Sequence, residues 1–507
     1  MQTQLIGAID QGTTSSRFIV FDQTLNIVAK SQREFTQYRP QPGWTEQSPR
    51  EIMSCVRKCV RDCLGQLKTK GISSGSISAI GITNQRETTV MWDRRTGIPL
   101  HPALVWHDTR NTNLCNDLIK MHGSADVFRS ITGLPISSYF SGTKIKWLID
   151  NVPSVRDSVR QKNAMFGNID TWLLYNLSGK KRHATDVSNA SRTLLMDIKK
   201  RQWSEDMCKS LNVPIDIMPE ICSSSEIYSV IEDEELPELK GVPISGILGD
   251  QQAALVGHCC FEPGEVKNTY GTGAFILFQT GKKMIQSKHG LLTTVAYQLG
   301  KEDCKYALEG SVPVAGSAVQ WFRDNLNIVK TPQELDQMAL KVKDTGDVYF
   351  VPAFSGLFAP RWRQDARGVF CGLTTYTNKY HLARACLESV CFQTHEVLKA
   401  MQQDAGVTLR KLKVDGGMSN SDIGMQIQSD LIGIDIWRPN MIENTALGAA
   451  FAAGRAIGLF KDTKDFTEKV RNATNFDVFS SQISKREREQ RIRKWNKAVI
   501  RSFGWID

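Results

Sequence analysis

IGAIDQGTTSSRFIVFD, residues 6–22, is an apolar run that stops on an acid, passes through a small hydroxyl-rich turn and resumes as a second apolar run beyond Arg17. Gly12 allows the backbone to turn tightly, and the amides and hydroxyls of Thr13, Thr14 and Ser15 can then face inward onto phosphate oxygens. Arg17 adds a fixed positive charge. Asp10, at the strand end, is placed to hold Mg²⁺ through water. The competing reading of this segment alone is an ordinary hairpin with a polar tip.

The same grammar returns later. VKNTYGTGAFILFQTG (266–281) is again strand, Gly/Thr turn, strand, and LLTTVAYQLG and CKYALEGSV follow as further strands. Outward from the first stretch, 26–35 is a third strand, Ser48-Pro49-Arg50-Glu51 starts a helix running to about residue 66, and 76–85 is the next strand. There Ser48 can cap, Pro49 suits the first helical position and Glu51 can close a capping box. Helices are expected over 314–326, 382–405 and 445–460, the last rich in small residues that permit close backbone packing. KLKVDGGMSN (411–420) passes from strand into a glycine turn. The chain therefore reads as α/β, in two halves that open alike, with a seam near residues 256–263. The expected domains are 1–257 and 258–507.

A length of 507 residues fits two large domains better than one core. The net charge of +10 favours anionic ligands without choosing among nucleotide, nucleic acid and membrane surface. Twelve cysteines show no disulfide or zinc framework. Cys55, Cys59 and Cys63 share one helix face and read as buried thiols, and the His258-Cys259-Cys260 run lacks a second ligand pair. Free thiols and the absence of a signal-like N-terminus or an apolar span give the cytoplasm as the expected compartment.

Three glycine turns sit at strand ends: that after Asp10, Tyr270-Gly271-Thr272-Gly273, and Asp415-Gly416-Gly417. No GxxxxGK[ST] loop occurs. GILGDQQAALVG (246–257) puts Asp250 between a short strand and a helical pattern, where an acid can serve as base, magnesium ligand or helix cap, and Gln251 can bind a hydroxyl. NQRETT (84–89) ends another strand with Arg86 and Glu87, which together offer a donor and an acceptor to a polyol, or form a surface ion pair.

With these residues in view, the chain resembles the FGGY carbohydrate kinases, and most closely their glycerol-phosphorylating branch. DQGTTSSR (10–17), GITNQRETTV (81–90), YFSGTKIKWLIDN (139–151), DVSNASRTLL (186–195), GDQQAALVG (249–257), KNTYGTGAF (267–275), ARGVFCGLT (366–374) and TALGAA (445–450) stand in family order across nearly the whole chain. The resemblance implies two actin-like (ribonuclease-H-like) domains with ATP and glycerol in the cleft between them. It implies a glycerol site of Arg86, Glu87, Tyr139, Asp250 and Gln251, walled by Trp106 and Phe275. It implies a nucleotide site of Thr13, Thr14, Ser15, Arg17, Thr272, Gly316, Gln320, Gly417 and Met418, with Ser421 where members often carry Asn. Asp250 would be the general base, and Mg²⁺ would lie near Asp10 and Asp250. A dimer or tetramer is the family's usual assembly.

The chain departs from the family pattern at Ser421, at Arg361 in APRW, where many members carry Tyr, and at Pro313 in SVPVAG. It lacks the Gly-Thr-Arg segment that binds fructose 1,6-bisphosphate in some bacterial members, so no such inhibition is expected. Two other FGGY-type substrates, a pentulose or erythritol, and an actin-like ATPase without a polyol pocket are the competing functions. Nucleic-acid binding through KREREQRIRKW (485–495) is disfavoured because Glu487 and Glu489 interleave with its basic residues, as on a solvated helix face.

Overall fold

The computed structural model describes residues 4–441 and 443–506. Leu5–Gln11 (β1) and Ser15–Phe21 (β2) form an antiparallel hairpin in which Asp10 lies opposite Arg17. Both strands are buried along almost their whole length, as their unbroken apolar runs require. Ile27–Glu34 (β3) pairs antiparallel with β2, while Ile77–Asn84 (β4) lies parallel to β1. Ser225–Val230 (β5) and Pro243–Gly249 (β6) complete a six-stranded sheet of order β5-β6-β4-β1-β2-β3.

The second half repeats this plan. Val266–Tyr270 (β7), Ala274–Gly281 (β8), Leu292–Tyr297 (β9), Lys305–Val312 (β10), Lys411–Asp415 (β11), Asp435–Pro439 (β12) and Phe476–Phe479 (β13) form a sheet of order β9-β10-β8-β7-β11-β12-β13. Each sheet has an antiparallel opening hairpin, a parallel strand beside its first member, a second parallel strand, and an antiparallel edge. The layout read from the two Gly/Thr turns is thus the layout of both sheets.

Helix α1 (Pro49–Thr69) buries Ile52, Val56, Cys59, Val60 and Cys63 against the first sheet, and Ser48 accepts the Glu51 N–H as its cap. The expected capping box does not close. Glu51 instead accepts the Thr36 N–H and hydroxyl, both at 3.1 Å, because the β3 exit brings unpaired donors beside it. Asp250–Gly257 (α2) follows β6 directly, and Gly316–Asp324 (α3) follows β10. Helices Lys379–Ala405 (α4) and Asp422–Ile432 (α5) pack on the second core.

The small-residue helix, α6 (Asn444–Ala456), stops four residues short of its expected end, where Gly458 takes a positive φ of 80°. Although it lies late in the chain, α6 covers the free face of the first sheet, joining Ile6, Ala8, Ile19 and Leu248 in one core. Close approach is needed there: a Cβ on Gly448 would meet the Ala253 carbonyl oxygen of α2 at 1.9 Å.

The C-terminal helix α7 (Lys485–Arg501) has the solvated face expected, with Lys485, Arg486, Glu487, Glu489 and Arg493 exposed, and a docked face opposite it. Arg491 bonds Glu388, Lys494 bonds Asp347, Arg488 bonds the Asp430 carbonyl, and Trp495 is buried. Three of its basic side chains, Arg488, Arg491 and Lys494, thus bond to the second domain. Eleven of the twelve cysteines are buried and all are free thiols. Among the described residues no helix is long and apolar enough to cross a membrane.

Candidate active site

Asp250 is the first residue of α2, with Gly249 in the capping position, so a capping role does not account for its side chain. One oxygen, Oδ1, accepts the adjacent Gln251 N–H at 2.7 Å and lies 3.3 Å from Arg86 Nε. About a quarter of the Asp250 side chain (27%) stays exposed to the cleft. Burial raises its pKa, against the pull of Arg86 and Lys267.

Arg86 is 3% exposed. Its Nη1 donates to Glu309 Oε2 at 2.5 Å and to Gln252 Oε1 at 3.3 Å, and its Nη2 donates to Glu309 Oε1 at 2.9 Å. One Nη2 proton has no protein acceptor among the described residues. Glu87 sits in the left-handed region, φ 60°, an uncommon backbone state for a side chain of its size. Its Oε1 accepts from Arg192 Nε at 2.6 Å, leaving Oε2 without a donor among the described residues. Gln251 Oε1 accepts from Lys267 Nζ, so its amide N–H₂ group is open. Burial pushes Lys267 down to about 8, while Asp415 and Asp250 hold it up.

Three aromatic rings close the other side. Trp106 stands 5.5 Å from Tyr139 and 5.9 Å from Phe275, centroid to centroid. Lys144 fixes the first two from behind, donating to the carbonyls of Trp106 at 3.1 Å and Tyr139 at 2.7 Å. The open polar groups therefore comprise two carboxylate acceptors, one guanidinium and one amide donor, and the Tyr139 hydroxyl, facing an apolar wall.

The sequence profile for the FGGY family of carbohydrate kinases, N-terminal domain, matches residues 5–257, and that for the C-terminal domain matches residues 266–457. The chain belongs to the FGGY carbohydrate kinases. It is similar to the glycerol kinase of Brucella anthropi, 51% identical over 100% of both chains. It is also similar to a probable glycerol kinase of Dictyostelium discoideum, 48% identical over 99% of both. The crystal structure of Plasmodium falciparum glycerol kinase with ADP superposes with a TM-score of 0.93 at 40% identity, covering 99% of this chain and 98% of that one. Gluconate kinase from Lactobacillus acidophilus, at 21% identity and a TM-score of 0.86 over 99% of this chain and 97% of that one, shares the fold.

As an FGGY kinase the chain assembles its two opening hairpins around this pocket. The Gly12 turn closes through its N–H to the Ser15 carbonyl at 2.9 Å, and Gln47 and Gln37 pin the Thr13 carbonyl. Thr14 is exposed and Arg17 half-buried, its Nη1 3.2 Å from Asp10 Oδ2. In the second hairpin, exposed Thr272 accepts from Ala315 and Ser317 and so seats Gly316 at the start of α3. Gly416, at φ 87°, lies against the Tyr270 carbonyl, which a Cβ would meet at 2.3 Å, and presents Gly417 to open space above buried Met418. Gln320 is exposed on α3. Ser421 Oγ is already occupied, capping α5 and donating to Asp336 at 2.7 Å. Arg361, the other polar departure, is absorbed by Glu396 and Asn496.

Four side chains of the site were not assigned from sequence: Glu309, Arg192, Lys267 and Lys144. Glu309 and Lys267 had a usable signal. Glu309 follows the apolar run Tyr306-Ala307-Leu308 within β10 and Lys267 follows Val266 within β7, interior strand positions where an unpartnered charge is too costly to keep. Arg192 lies within DVSNASRTLL, but nothing local distinguishes it from a surface arginine. Lys144 sits on a helix whose burial is not periodic.

Proposed function

We propose that this chain transfers the γ-phosphoryl group of ATP to glycerol, giving sn-glycerol 3-phosphate and ADP. The observation that carries the reading is the set of unpaired groups in the pocket: Glu87 Oε2, one Arg86 N–H, the Gln251 amide, the Tyr139 hydroxyl and the free oxygen of Asp250. A triol needs donors and acceptors at three hydroxyls and an apolar face for its carbon edge, which Trp106 and Phe275 offer. A site built this way rejects analogues lacking a hydroxyl, because buried polar groups are then left unpaired. The glycerol kinase relatives, similar over their full length, support the same substrate.

Glycerol lies mainly on residues 1–257 and nucleotide mainly on 258–507. The phosphates are bound by Thr13, Thr14, Ser15, Arg17 and Thr272. Gly316, Gln320, Gly417, Met418 and Ser421 line the remainder of the nucleotide site. Asp250 accepts the proton of a terminal glycerol hydroxyl as its oxygen attacks the γ-phosphorus in line. The bond from phosphorus to the β,γ-bridging oxygen breaks, and ADP leaves with that electron pair. Arg17 and the turn amides stabilise the charge on the equatorial oxygens.

Asp10 and Asp250 fit a magnesium site. Asp10 is pushed up to about 6 by burial, with Arg17 opposing and Glu443 and Asp250 adding to the rise. Carboxylates that resist ionising beside one another suit a divalent cation. Mg²⁺ keeps waters and phosphate oxygens as most of its ligands, so one or two carboxylates suffice to hold it. Bound there, the ion would neutralise phosphate charge. The enzyme works in the cytoplasm as a homo-oligomer, dimer or tetramer, without nucleic acid.

The test is ADP release from MgATP with and without glycerol. Glycerol-dependent turnover supports the reading. Turnover independent of glycerol moves it to an actin-like ATPase, and preference for a pentulose moves it to another FGGY substrate.

A further inference from the structure

Arg86 and Arg192 both come from the first half of the chain, and both are buried beside the proposed glycerol site. Two guanidinium groups this close repel each other. The acid that reconciles them comes from the other half. Glu309 lies on β10, opposite Leu277 of β8 and Leu292 of β9, and is fully buried. Its Oε1 receives Arg86 Nη2 at 2.9 Å and Arg192 Nη2 at 3.1 Å, and its Oε2 receives Arg86 Nη1 at 2.5 Å. Burial would raise the Glu309 pKa, but Arg192 and Arg86 override it and hold the carboxyl down to about 2, so it is ionised throughout the working range.

The fork geometry has a consequence for Asp250. An arginine engages a carboxylate best through two parallel N–H donors. Arg86 has two carboxylates within reach, and Glu309 takes both Nη groups. Only Nε is left toward Asp250, at 3.3 Å. Gly249 helps hold this arrangement, since a Cβ there would meet Arg86 Cγ and Cδ at 2.7 Å.

We propose that Glu309 is a positioning residue for the phosphoryl acceptor. By holding both Nη groups of Arg86 from across the cleft, it keeps that arginine from closing its fork on Asp250, leaving the base oxygen open and one Nη2 proton aimed for a substrate hydroxyl. Because Glu309 belongs to the second half, the acceptor site is complete only when the two halves are in register. This rests on the glycerol reading above.

The test uses the full-length wild type, Glu309→Gln and Glu309→Asp, with glycerol, 1,2-propanediol and 1,3-propanediol as acceptors. Glu309→Gln should lower kcat/KM for glycerol about 100-fold, with the KM for ATP changed less than about threefold. The loss should be at least about tenfold smaller for whichever propanediol lacks the hydroxyl served by Arg86, so that discrimination between triol and diol collapses. Glu309→Asp keeps the charge but cannot span both arginines, and should recover part of kcat while glycerol KM stays raised. If Glu309→Gln does not fold, Glu309→Asp alone reports through the same ratio. Unchanged glycerol KM and unchanged triol-to-diol discrimination, with only a lowered Tm, would overturn the inference and leave Glu309 a structural acid. Failure of the wild type to phosphorylate glycerol would instead overturn the functional reading on which it rests.

Discussion

The indole N–H of Trp106 donates to the Thr13 hydroxyl across 3.0 Å. One ring thereby packs against Tyr139 and Phe275 and ties down the Gly12 turn. Trp106→Phe keeps the wall and removes the tie. A neutral hydrogen bond of this kind contributes about 1 kcal/mol, so kcat/KM should fall roughly fivefold. The KM for ATP should rise along with that for glycerol. A change confined to glycerol in steady-state kinetics would refute the link.

Asp250→Asn removes the proposed proton acceptor while preserving shape. Turnover should fall about 10²- to 10⁴-fold, the usual contribution of a positioned base. Glycerol affinity, followed by calorimetry, should stay within a few-fold. A variant that retains a tenth of the wild-type rate would rule out Asp250 as the base.

Gly249→Ala is a probe of position rather than chemistry. Its new methyl meets the Arg86 stem at 2.7 Å and must displace it. Activity toward glycerol should drop by more than about tenfold, a displacement of an angstrom being enough for that. Circular dichroism should change little, while Tm should fall modestly, as overpacking a buried site costs about 1–3 kcal/mol. Near-normal activity would show that Arg86 has slack.

Asp170 gives a pH dependence of stability remote from the reaction. It is fully buried in the helix Ile169–Leu177, accepts from the Thr185 hydroxyl, and leaves its other oxygen without a partner among the described residues. Burial is the main reason its pKa rises to about 7; the Thr185 bond opposes this and Asp186 adds to it. Between its unfolded value near 3.8 and about 7 the folded chain holds a proton that the unfolded chain has released. Stability therefore falls as pH rises through that window. Asp170→Asn should match wild type in thermal melts at pH 4 and exceed it at pH 8. Parallel curves at both pH values would refute the assignment.

The fold was legible because its two hairpins advertise themselves: an apolar run, a short Gly/Thr-rich interruption and a second apolar run mark a strand, a turn and a strand, and the turns fall at 12–14 and 271–273 between the strands. Arg86, Glu87 and Asp250 could be found for the same reason, since each breaks an apolar strand at its end. The site's second layer could not. Glu309 and Arg192 meet Arg86 from positions more than a hundred residues away, and only packing brings them together. Local pattern found the wet face of α7 but not its docked one, because the acids that receive Arg491 and Lys494, Glu388 and Asp347, lie elsewhere in the chain. Glu51 illustrates the same limit at short range, its carboxylate drawn to Thr36 instead of its own helix end.

Helix α6 has a consequence for how the protein is made. Every strand of the first sheet has been synthesised by residue 249, but the helix that roofs its inner face begins at residue 444. A ribosome must add nearly the whole second domain before Ile6, Ala8, Ile19 and Leu248 gain their cover. During that interval the nascent first half displays an oily floor, the kind of surface to which chaperones bind. A stop codon just before residue 444 would leave that floor permanently bare. The two halves are thus separable on paper and in their sheets, but neither a folding intermediate nor a truncated product can inherit the first half intact.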